Sequence, residues 1–375
     1  MKVISMRRLP TMLCAVIVAA VVVLAGCRPG QQEPEHGSIE VPTGAPVPPW
    51  AEPLDTAAAR IDEAMPGSFG IHVRHLDTAT DNQAGSLDRG GDRRWYLSST
   101  IKVPVAIAVL ERVDAGDLAL DEELVLSETD YVDGAGDLLM QDPGTRYSIA
   151  TLLEKSLQDS DSTATDMLIR LIGEDVLNRR IADWTGGGFG PITTIVQVRY
   201  DAYGALHPGV AELSNMDLVR LRNSRAGEAR LVALAKALGV PRDELDTRDL
   251  DDVFGRYYET GRNSATLEAY ALMLEKLVTG ELLSEASTRR ILDHMRAITT
   301  GDRRIQAGLP SGTDFAQKTG TQVARACNVG VLDPDKGAGG ATVVVACAED
   351  FEDLAQAERA FREFGQALGE TGLAR

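Results

Sequence analysis

Strand-forming segments lie at both ends of the folded part of this chain, with a helical middle between them. Near the amino end, the alternation in SFGIHVRHLDTAT places Phe69, Ile71 and Val73 on one face of a strand. Near the carboxyl end, the strings AQKTGT, ACNVGVLDP and ATVVVACAE have the same strand character. The sequence therefore predicts an α+β fold: an antiparallel sheet of about five strands made from both chain ends and packed by helices, plus an all-helical subdomain over about residues 105–300.

The first 26 residues have the pattern of an export signal. Lys2, Arg7 and Arg8 precede an apolar stretch that is too short and abrupt for a membrane-spanning helix. The stretch ends in LAGC, which resembles a bacterial lipobox whose cysteine is Cys27. Cleavage before Cys27 and acylation of its thiol would anchor the chain to the extracytoplasmic face of the cell membrane. An ordinary signal peptide with a chance cysteine, or an uncleaved anchor, is the alternative.

Composition separates the exported chain into a tether and a domain. Residues 27–53 are rich in proline and polar residues and lack periodicity, so we predict an extended tether before one domain over residues 54–375. Removal of residues 1–26 takes away three basic residues and no acid, which moves the formal charge from −18 to −21. Because so acidic a surface repels nucleic acid, we expect no nucleic-acid partner. We expect a monomer.

Two cysteines remain if Cys14 is cleaved off and Cys27 is lipidated, namely Cys327 and Cys347. Both lie on predicted strands that flank a turn over residues 333–340. A hairpin at this turn would place them opposite each other, and an exported compartment is oxidising. Because cross-strand disulfide geometry is demanding, a disulfide and a pair of buried thiols both remain open.

Ser99 and Lys102 form the first of three motifs that carry candidate chemistry. Ser99 opens an almost wholly apolar helix, and Lys102 lies one turn later on the same face. A serine hydroxyl needs a base to take its proton, and a buried lysine crowded by cations has a lowered pKa that suits this role. Backbone N–H groups at the helix start suit an oxyanion. The alternatives are a plain N-cap for Ser99 and a snorkelling surface lysine, but the VPVAIAVL that follows offers no polar face.

The second motif, Ser160-Asp161-Ser162, lies between two predicted helices. Such residues commonly cap helices, and Thr163 with Asp166 has the pattern of a capping box. In the functional interpretation, Ser160 relays a proton to the leaving group and Asp161 braces the local backbone.

The third motif, Lys318-Thr319-Gly320-Thr321, lies on a predicted strand. Its glycine allows close approach of a ligand or a neighbouring chain. A lysine and two hydroxyls on one edge suit a substrate carboxylate, although a plain sheet-surface lysine with threonine neighbours is the alternative.

In their order and approximate spacing, these motifs resemble those of the penicillin-binding protein and serine β-lactamase superfamily, most closely the class A β-lactamases. The resemblance covers about residues 56–200 and 263–372. It implies that Ser99 is the acyl-forming nucleophile, Lys102 its proton acceptor or relay, and Ser160 the second-motif hydroxyl. It further implies an oxyanion hole made by two backbone N–H groups and a set of substrate-binding residues. The N–H groups belong to Ser99 and Thr321, and the binding residues are Ser162, Lys318, Thr319, Gly320 and Thr321.

Two departures separate this chain from class A β-lactamases. The second motif ends in Ser162 where the family has asparagine, and the shorter serine would bind a substrate amide weakly or through water. The family's Ω-loop glutamate, which activates the deacylating water, has no matching string here. The region over about residues 199–262 is instead much longer. Counting positions favours Asp201 as the stand-in, with Glu212 and Glu259 as alternatives.

The leading functional hypothesis is a lipid-anchored serine hydrolase that forms an acyl-enzyme at Ser99 with β-lactams or related peptidoglycan-like amides and esters. One alternative is a D-Ala-D-Ala carboxypeptidase or esterase with slow β-lactam deacylation. Another is a non-catalytic cell-envelope lipoprotein that keeps the fold for binding, which the altered Ser162 favours and the intact Ser99–Lys102 pair opposes. The five histidines are scattered, so we expect neither a metal site nor a cofactor. Rapid turnover, and with it antibiotic resistance, is not specified by the motifs.

Overall fold

The structure, a computed structural model, describes residues 37–41, 46–77, 83–225, 227–245 and 250–374. Its strands are β1 Ser38–Glu40, β2 Ser68–Asp77, β3 Gly85–Arg89, β4 Arg94–Tyr96, β5 Glu123–Val125, β6 Arg146–Ser148, β7 Ser264–Thr266, β8 Phe315–Gln322, β9 Arg325–Leu332 and β10 Gly339–Glu349. Its helices are α1 Ala51–Ala64, α2 Lys102–Asp114, α3 Ile149–Gln158, α4 Ser162–Ile172, α5 Glu174–Thr185, α6 Ile195–Gly204, α7 Asn215–Asn223, α8 Glu228–Leu238, α9 Leu250–Glu259, α10 Leu267–Val278, α11 Glu285–Arg296, α12 Ile305–Gly308 and α13 Leu354–Glu370.

The main sheet has six antiparallel strands in the order β1-β3-β2-β10-β9-β8. Three strands come from the amino-terminal part of the chain and three from the carboxyl-terminal part, as the sequence predicts. The sixth strand is β1, which lies inside the predicted tether. Trp50, just before α1, is also buried, and its indole N–H donates to the carbonyl of Gln83 (2.8 Å). The predicted tether through residue 53 therefore extends too far.

Helices bury both faces of the main sheet. Successive residues of its central strand point to opposite faces, so they pack into two different apolar clusters. In β10, Val344 and Ala346 pack with α1 and α13, whereas Val343 and Val345 pack with the helices of the other face. Within α2, every residue from Lys102 to Leu110 is buried, as expected for a helix that is apolar all round. No helix within the described part of the chain is long and apolar enough to cross a membrane.

Two short strands, β3 and β4, follow β2 in the chain and belong to different sheets. β3 ends at Arg89, and Arg94–Tyr96 forms the separate strand β4, which pairs with β7 in a two-stranded sheet. The backbone N–H of Leu97 also donates to the carbonyl of Asn263 (2.9 Å), so the segment just before Ser99 is joined to the segment just before α10.

Cys327 of β9 and Cys347 of β10 occupy directly paired positions and form a disulfide, with their Cα atoms 4.1 Å apart. Gly320 of β8 pairs with Cys327 on the other side of β9. The cross-link therefore joins β9, the neighbour of the strand that carries the third motif, to β10.

The region between α5 and β7 is largely helical and has its own apolar core. Helices α6, α8 and α9 contribute side chains such as Val198, Leu231 and Phe254, and the cluster extends to Tyr96 and Val132. The enlarged segment predicted over residues 199–262 is therefore a packed helical layer, and it begins at α6, slightly before the predicted limit.

Candidate active site

Ser99 lies in a 3-10 turn over Ser98–Ile101 that leads into α2, whose first residue is Lys102. Lys102 is fully buried, and its Nζ donates to Ser99 Oγ at 3.0 Å and to the Ser160 carbonyl at 2.6 Å. Burial lowers the pKa of Lys102 to about 7, against the opposing effect of the Asp161 and Asp166 carboxylates. Near neutral pH, a large fraction of this amine is therefore unprotonated and able to accept a proton.

Ser160 is the point where the second motif meets both lysines. Its hydroxyl accepts from Lys102 Nζ at 3.1 Å and from Lys318 Nζ at 2.9 Å. Lys318 is fully buried in β8, and burial together with the positive charges of Lys102 and Arg304 holds the pKa of Lys318 well below its usual range. The Ser160 hydroxyl thus bridges two crowded amines, which suits it to pass a proton between them and a bound ligand.

Asp161 holds the backbone on either side of the second motif. Its carboxylate accepts the N–H of Ala164 at 2.8 Å, as the N-cap of α4, and the N–H of Leu138 at 2.9 Å. The capping box predicted for Thr163 and Asp166 is therefore wrong, because the chain enters α4 at Asp161. Bracing of the local backbone by Asp161 agrees with the functional interpretation.

Gly320 allows β8 to lie against the turn that carries Ser99. A Cβ at this position would lie 2.5 Å from the Leu97 carbonyl oxygen and 2.9 Å from Ser99 N. No side chain fits such a gap. The close approach places Thr321, the next residue of the strand, on the same cavity as Ser99.

Arg304 supports the third motif from behind, a role that no sequence pattern indicates. Its guanidinium donates to the carbonyls of Gly320 (2.9 Å) and Cys327 (2.8 Å) and to the Thr321 hydroxyl. Burial lowers the pKa of Arg304 to about 10. A neighbouring pair of hydroxyls, on Thr300 and Thr319, shares a hydrogen bond of 2.8 Å. No sequence pattern distinguishes Arg304 from the arginine that precedes it, so only the tertiary structure shows which of the two contacts the third motif.

These motifs open onto one cavity of about 340 Å³. Ser98, Ser160 and Asn263 line it, and they are three of the six non-glycine residues with positive φ in the described chain. Unusual backbone conformations of this kind cluster at functional sites, where the surrounding structure holds them in place. Among the described residues, no group of three or more His, Cys, Asp or Glu side chains is arranged to hold a metal ion.

Helix α6 contributes one wall of the cavity, and Asp166 fixes the start of this helix. The buried Asp166 carboxylate accepts the backbone N–H groups of Ile195 (2.6 Å) and Val196 (2.9 Å). Burial raises the pKa of Asp166 to about 6, against the effect of these two hydrogen bonds. The helix held in this way presents Ile195, Val198 and Arg199 to the cavity.

Comparison with known sequences agrees with this arrangement of the three motifs around one cavity. A sequence profile of the β-lactamase enzyme family matches residues 53–207 and 214–371, most of the chain. The chain belongs to this family. The β-lactamase of Mycobacterium tuberculosis is 25% identical over 318 residues, which make up 84% of this chain and 82% of that protein. The β-lactamase L2 of Stenotrophomonas maltophilia is 25% identical over 283 residues, or 75% of this chain and 74% of that protein.

Solved structures of β-lactamases share the fold. The β-lactamase of Sphaerobacter thermophilus has a TM-score of 0.58 and 25% identity, over 85% of this chain and 97% of that chain. An ancestral class A β-lactamase has a TM-score of 0.61 and 24% identity, over 84% of this chain and 99% of that chain. The prediction of an α+β fold of the class A β-lactamase type is confirmed.

The structure gathers most of the residues that the β-lactamase resemblance assigns to the site. The cavity is lined by Ser99, Ser160, Ser162, Thr319, Gly320 and Thr321. Lys102 and Lys318 contact it through the Ser160 hydroxyl. Cys27, the predicted lipidation site, lies outside the described residues.

Asp201 is the exception, because the structure places its carboxylate away from the site. The Asp201 carboxylate accepts from Gln197 Nε2 at 2.7 Å and pairs with Arg262, and it does not line the cavity. The alternatives Glu212 and Glu259 do not line it either. Among the described residues, no aspartate or glutamate side chain lines the cavity. Counting positions from the second motif therefore selected the wrong residue of α6. The residue of this helix that faces the cavity at its first turn is Ile195, whose side chain is apolar.

Proposed function

We propose that this member of the β-lactamase family forms an acyl-enzyme at Ser99 with β-lactams or related amides and esters. The observation that carries the proposal is the 3.0 Å contact between Lys102 Nζ and Ser99 Oγ. Because the pKa of Lys102 is lowered to about 7, the amine accepts the hydroxyl proton without help from histidine.

Acylation follows from the order of the groups around Ser99. Ser99 Oγ attacks the carbonyl carbon of the substrate while its proton passes to Lys102 Nζ. The N–H groups of Ser99 and Thr321 stabilise the oxyanion of the tetrahedral intermediate. The carbon–nitrogen bond then breaks, and the leaving nitrogen takes a proton from the Ser160 hydroxyl, which is replenished from Lys102. The substrate carboxylate binds at Lys318, with the Thr319 and Thr321 hydroxyls beside it.

Hydrolysis of the resulting ester is the slow half of the proposed reaction. Water is a weak nucleophile without a base, and no carboxylate among the described residues lines the cavity. The start of α6 offers Ile195 instead. A protein of the same fold, a leucine-to-glutamate mutant of PBP-A, has been solved as an acyl-enzyme complex with penicillin G, at a TM-score of 0.58 and 22% identity. Because no carboxylate among the described residues lines the cavity, we propose a long-lived β-lactam adduct rather than rapid turnover.

Intact-mass spectrometry after exposure to benzylpenicillin tests this proposal. We expect one adduct of the full mass of the drug, absent in Ser99→Ala and present in Ser214→Ala, which removes an exposed capping hydroxyl instead. The adduct should persist after the free drug is removed. A wild-type protein that is neither labelled by benzylpenicillin nor hydrolyses it, or a labelled Ser99→Ala variant, would overturn the assignment of the nucleophile. Rapid loss of the adduct would overturn the slow deacylation alone.

We further propose that the chain is exported and held at the membrane by lipid on Cys27, since LAGC follows a basic and apolar leader. In a bacterial host, the wild-type protein should fractionate with membranes, and Cys27→Ser should move it to the soluble or secreted fraction. A soluble wild-type protein, or a Cys27→Ser variant that stays with membranes, would contradict this.

A further inference from the structure

The cavity carries a second positive region, separate from the third motif. Arg199 of α6 and Arg222 of α7 both line it, and no acidic side chain among the described residues does. The chain as a whole has a formal charge of −18, so a cation-lined cavity stands out against the rest of the surface. Clefts lined by one sign of charge concentrate ligands of the opposite sign.

The carboxylate of Asp133 lies beside both guanidinium groups. Asp133 Oδ1 accepts from Arg199 Nε at 2.6 Å, and Asp133 Oδ2 lies 3.6 Å from Arg222 Nε. Both arginines are charged at neutral pH and Asp133 supplies one negative charge, which leaves the cluster with a net positive charge. Its charge is therefore incompletely compensated by the described residues that contact it.

The donors of Arg199 are also incompletely used. This residue is only 8% exposed, and its Nη1 has no hydrogen-bond partner among the residues that the structure describes. A buried donor without a partner is costly, and the cost is relieved when an acceptor binds. Arg222 comes from the helical layer and has a side chain that is 56% exposed, so it can turn toward a ligand at the mouth of the cavity.

We propose that Arg199 and Arg222 form a second anion subsite, which binds an acidic group on the acyl side of the substrate. This inference rests on the proposed function, in which Lys318 and its threonine neighbours bind the carboxylate on the leaving-group side of the scissile bond. The other half of an amide substrate, attached to the carbonyl carbon, then extends from Ser99 toward α6. The preferred substrate class is accordingly a dianionic amide with a carboxylate on its acyl side chain.

Carbenicillin and benzylpenicillin are matched probes, because they differ by one carboxylate on the acyl side chain. Their binding to a Ser99→Ala variant, measured by calorimetry at low ionic strength, reports recognition without covalent reaction. We expect carbenicillin to bind more tightly by about fivefold, the range of a partly exposed ion pair. This preference should shrink with added salt.

Further substitutions in the Ser99→Ala background assign the preference to the two arginines. Arg222→Gln should abolish most of it, whereas Asp133→Asn should increase it by removing the competing carboxylate. Arg220→Gln is the control, because Arg220 lies on the same helix with a 69% exposed side chain and does not line the cavity. It should leave the preference unchanged.

Two results would overturn the subsite: no preference for carbenicillin in Ser99→Ala, whether both penicillins bind equally or neither binds, or a preference that Arg222→Gln leaves intact. Neither depends on acylation. A wild-type protein that binds carbenicillin preferentially but neither forms an adduct with it nor hydrolyses it would overturn the proposed function and leave the subsite standing.

Discussion

Lys102 Nζ and Ser99 Oγ lie 3.0 Å apart at the start of α2, inside a region where the lysine is fully buried. Burial disfavours the charged amine and lowers the pKa of Lys102 to about 7. The protonated amine can only donate to Ser99, whereas the neutral amine can accept its proton. The reactivity of Ser99 should therefore depend on the protonation state of this one neighbour.

The rate of Ser99 acylation should rise with pH through about 7, because the neutral form of Lys102 becomes dominant above that value. Stopped-flow measurement with a chromogenic cephalosporin from pH 5.5 to 9 would show the rise. Lys102→Arg should lower the rate by about 10²- to 10⁴-fold, because arginine stays protonated. Lys155→Arg, at a lysine paired with Asp137 outside the cavity, is the control. A rate independent of pH in the folded protein would contradict this role.

The contact between Ser99 and Lys102 could be predicted from the sequence because both residues lie on one helical turn, where spacing determines proximity. The two-ended sheet was accessible because alternation in SFGIHVRHLD and ATVVVACAE marks strands buried on at least one face. Both patterns are local in the sequence, and the tertiary packing is consistent with the structures that they predict.

By contrast, the sequence could not predict that α6 forms one wall of the cavity. Asp166 and Ile195 are joined by a hydrogen bond between residues that are distant in the chain, so no spacing rule could show which residue of the enlarged region faces Ser99. Asp201 lies on the same helix, only two turns on, but its carboxylate is used by Gln197 and Arg262. Counting positions from a family pattern works only where the intervening length is the same, and here it is not.

Ile195→Glu should shorten the lifetime of the β-lactam adduct. Ile195 lines the cavity, and its backbone is fixed by Asp166, so a carboxylate at this position would face the ester from a rigid element. General-base assistance to water should accelerate deacylation by about 10²-fold, which decay of the adduct in intact-mass spectra would measure. Ile195→Gln is the matched control, with similar size and no basic oxygen. Equal lifetimes for the glutamate and glutamine variants would show that Ile195 does not lie where water attacks.

The Cys327–Cys347 disulfide should contribute to stability by an amount that grows with the logarithm of the length of the loop it closes. The two residues are 20 positions apart, and closing a loop of that size in the unfolded chain corresponds to about 3 kcal/mol. Replacing both cysteines by alanine should lower the free energy of unfolding by about this amount, measured by urea denaturation. Reduction of the wild-type protein should produce a similar shift and leave the double variant unchanged. An unchanged midpoint in the double variant would contradict the prediction.

Gly320→Ala should slow acylation and destabilise the fold, because the added Cβ would lie 2.5 Å from the Leu97 carbonyl oxygen and 2.9 Å from Ser99 N. Either β8 or the Ser99 turn must shift, which costs about 1–3 kcal/mol as overpacking and moves the Thr321 N–H away from the oxyanion. Thermal unfolding and the acylation rate measure the two effects. Gly255→Ala, which adds a Cβ in open space within α9, should be neutral or stabilising. If Gly320→Ala acylates at the wild-type rate, Ser99 and β8 do not form one oxyanion site.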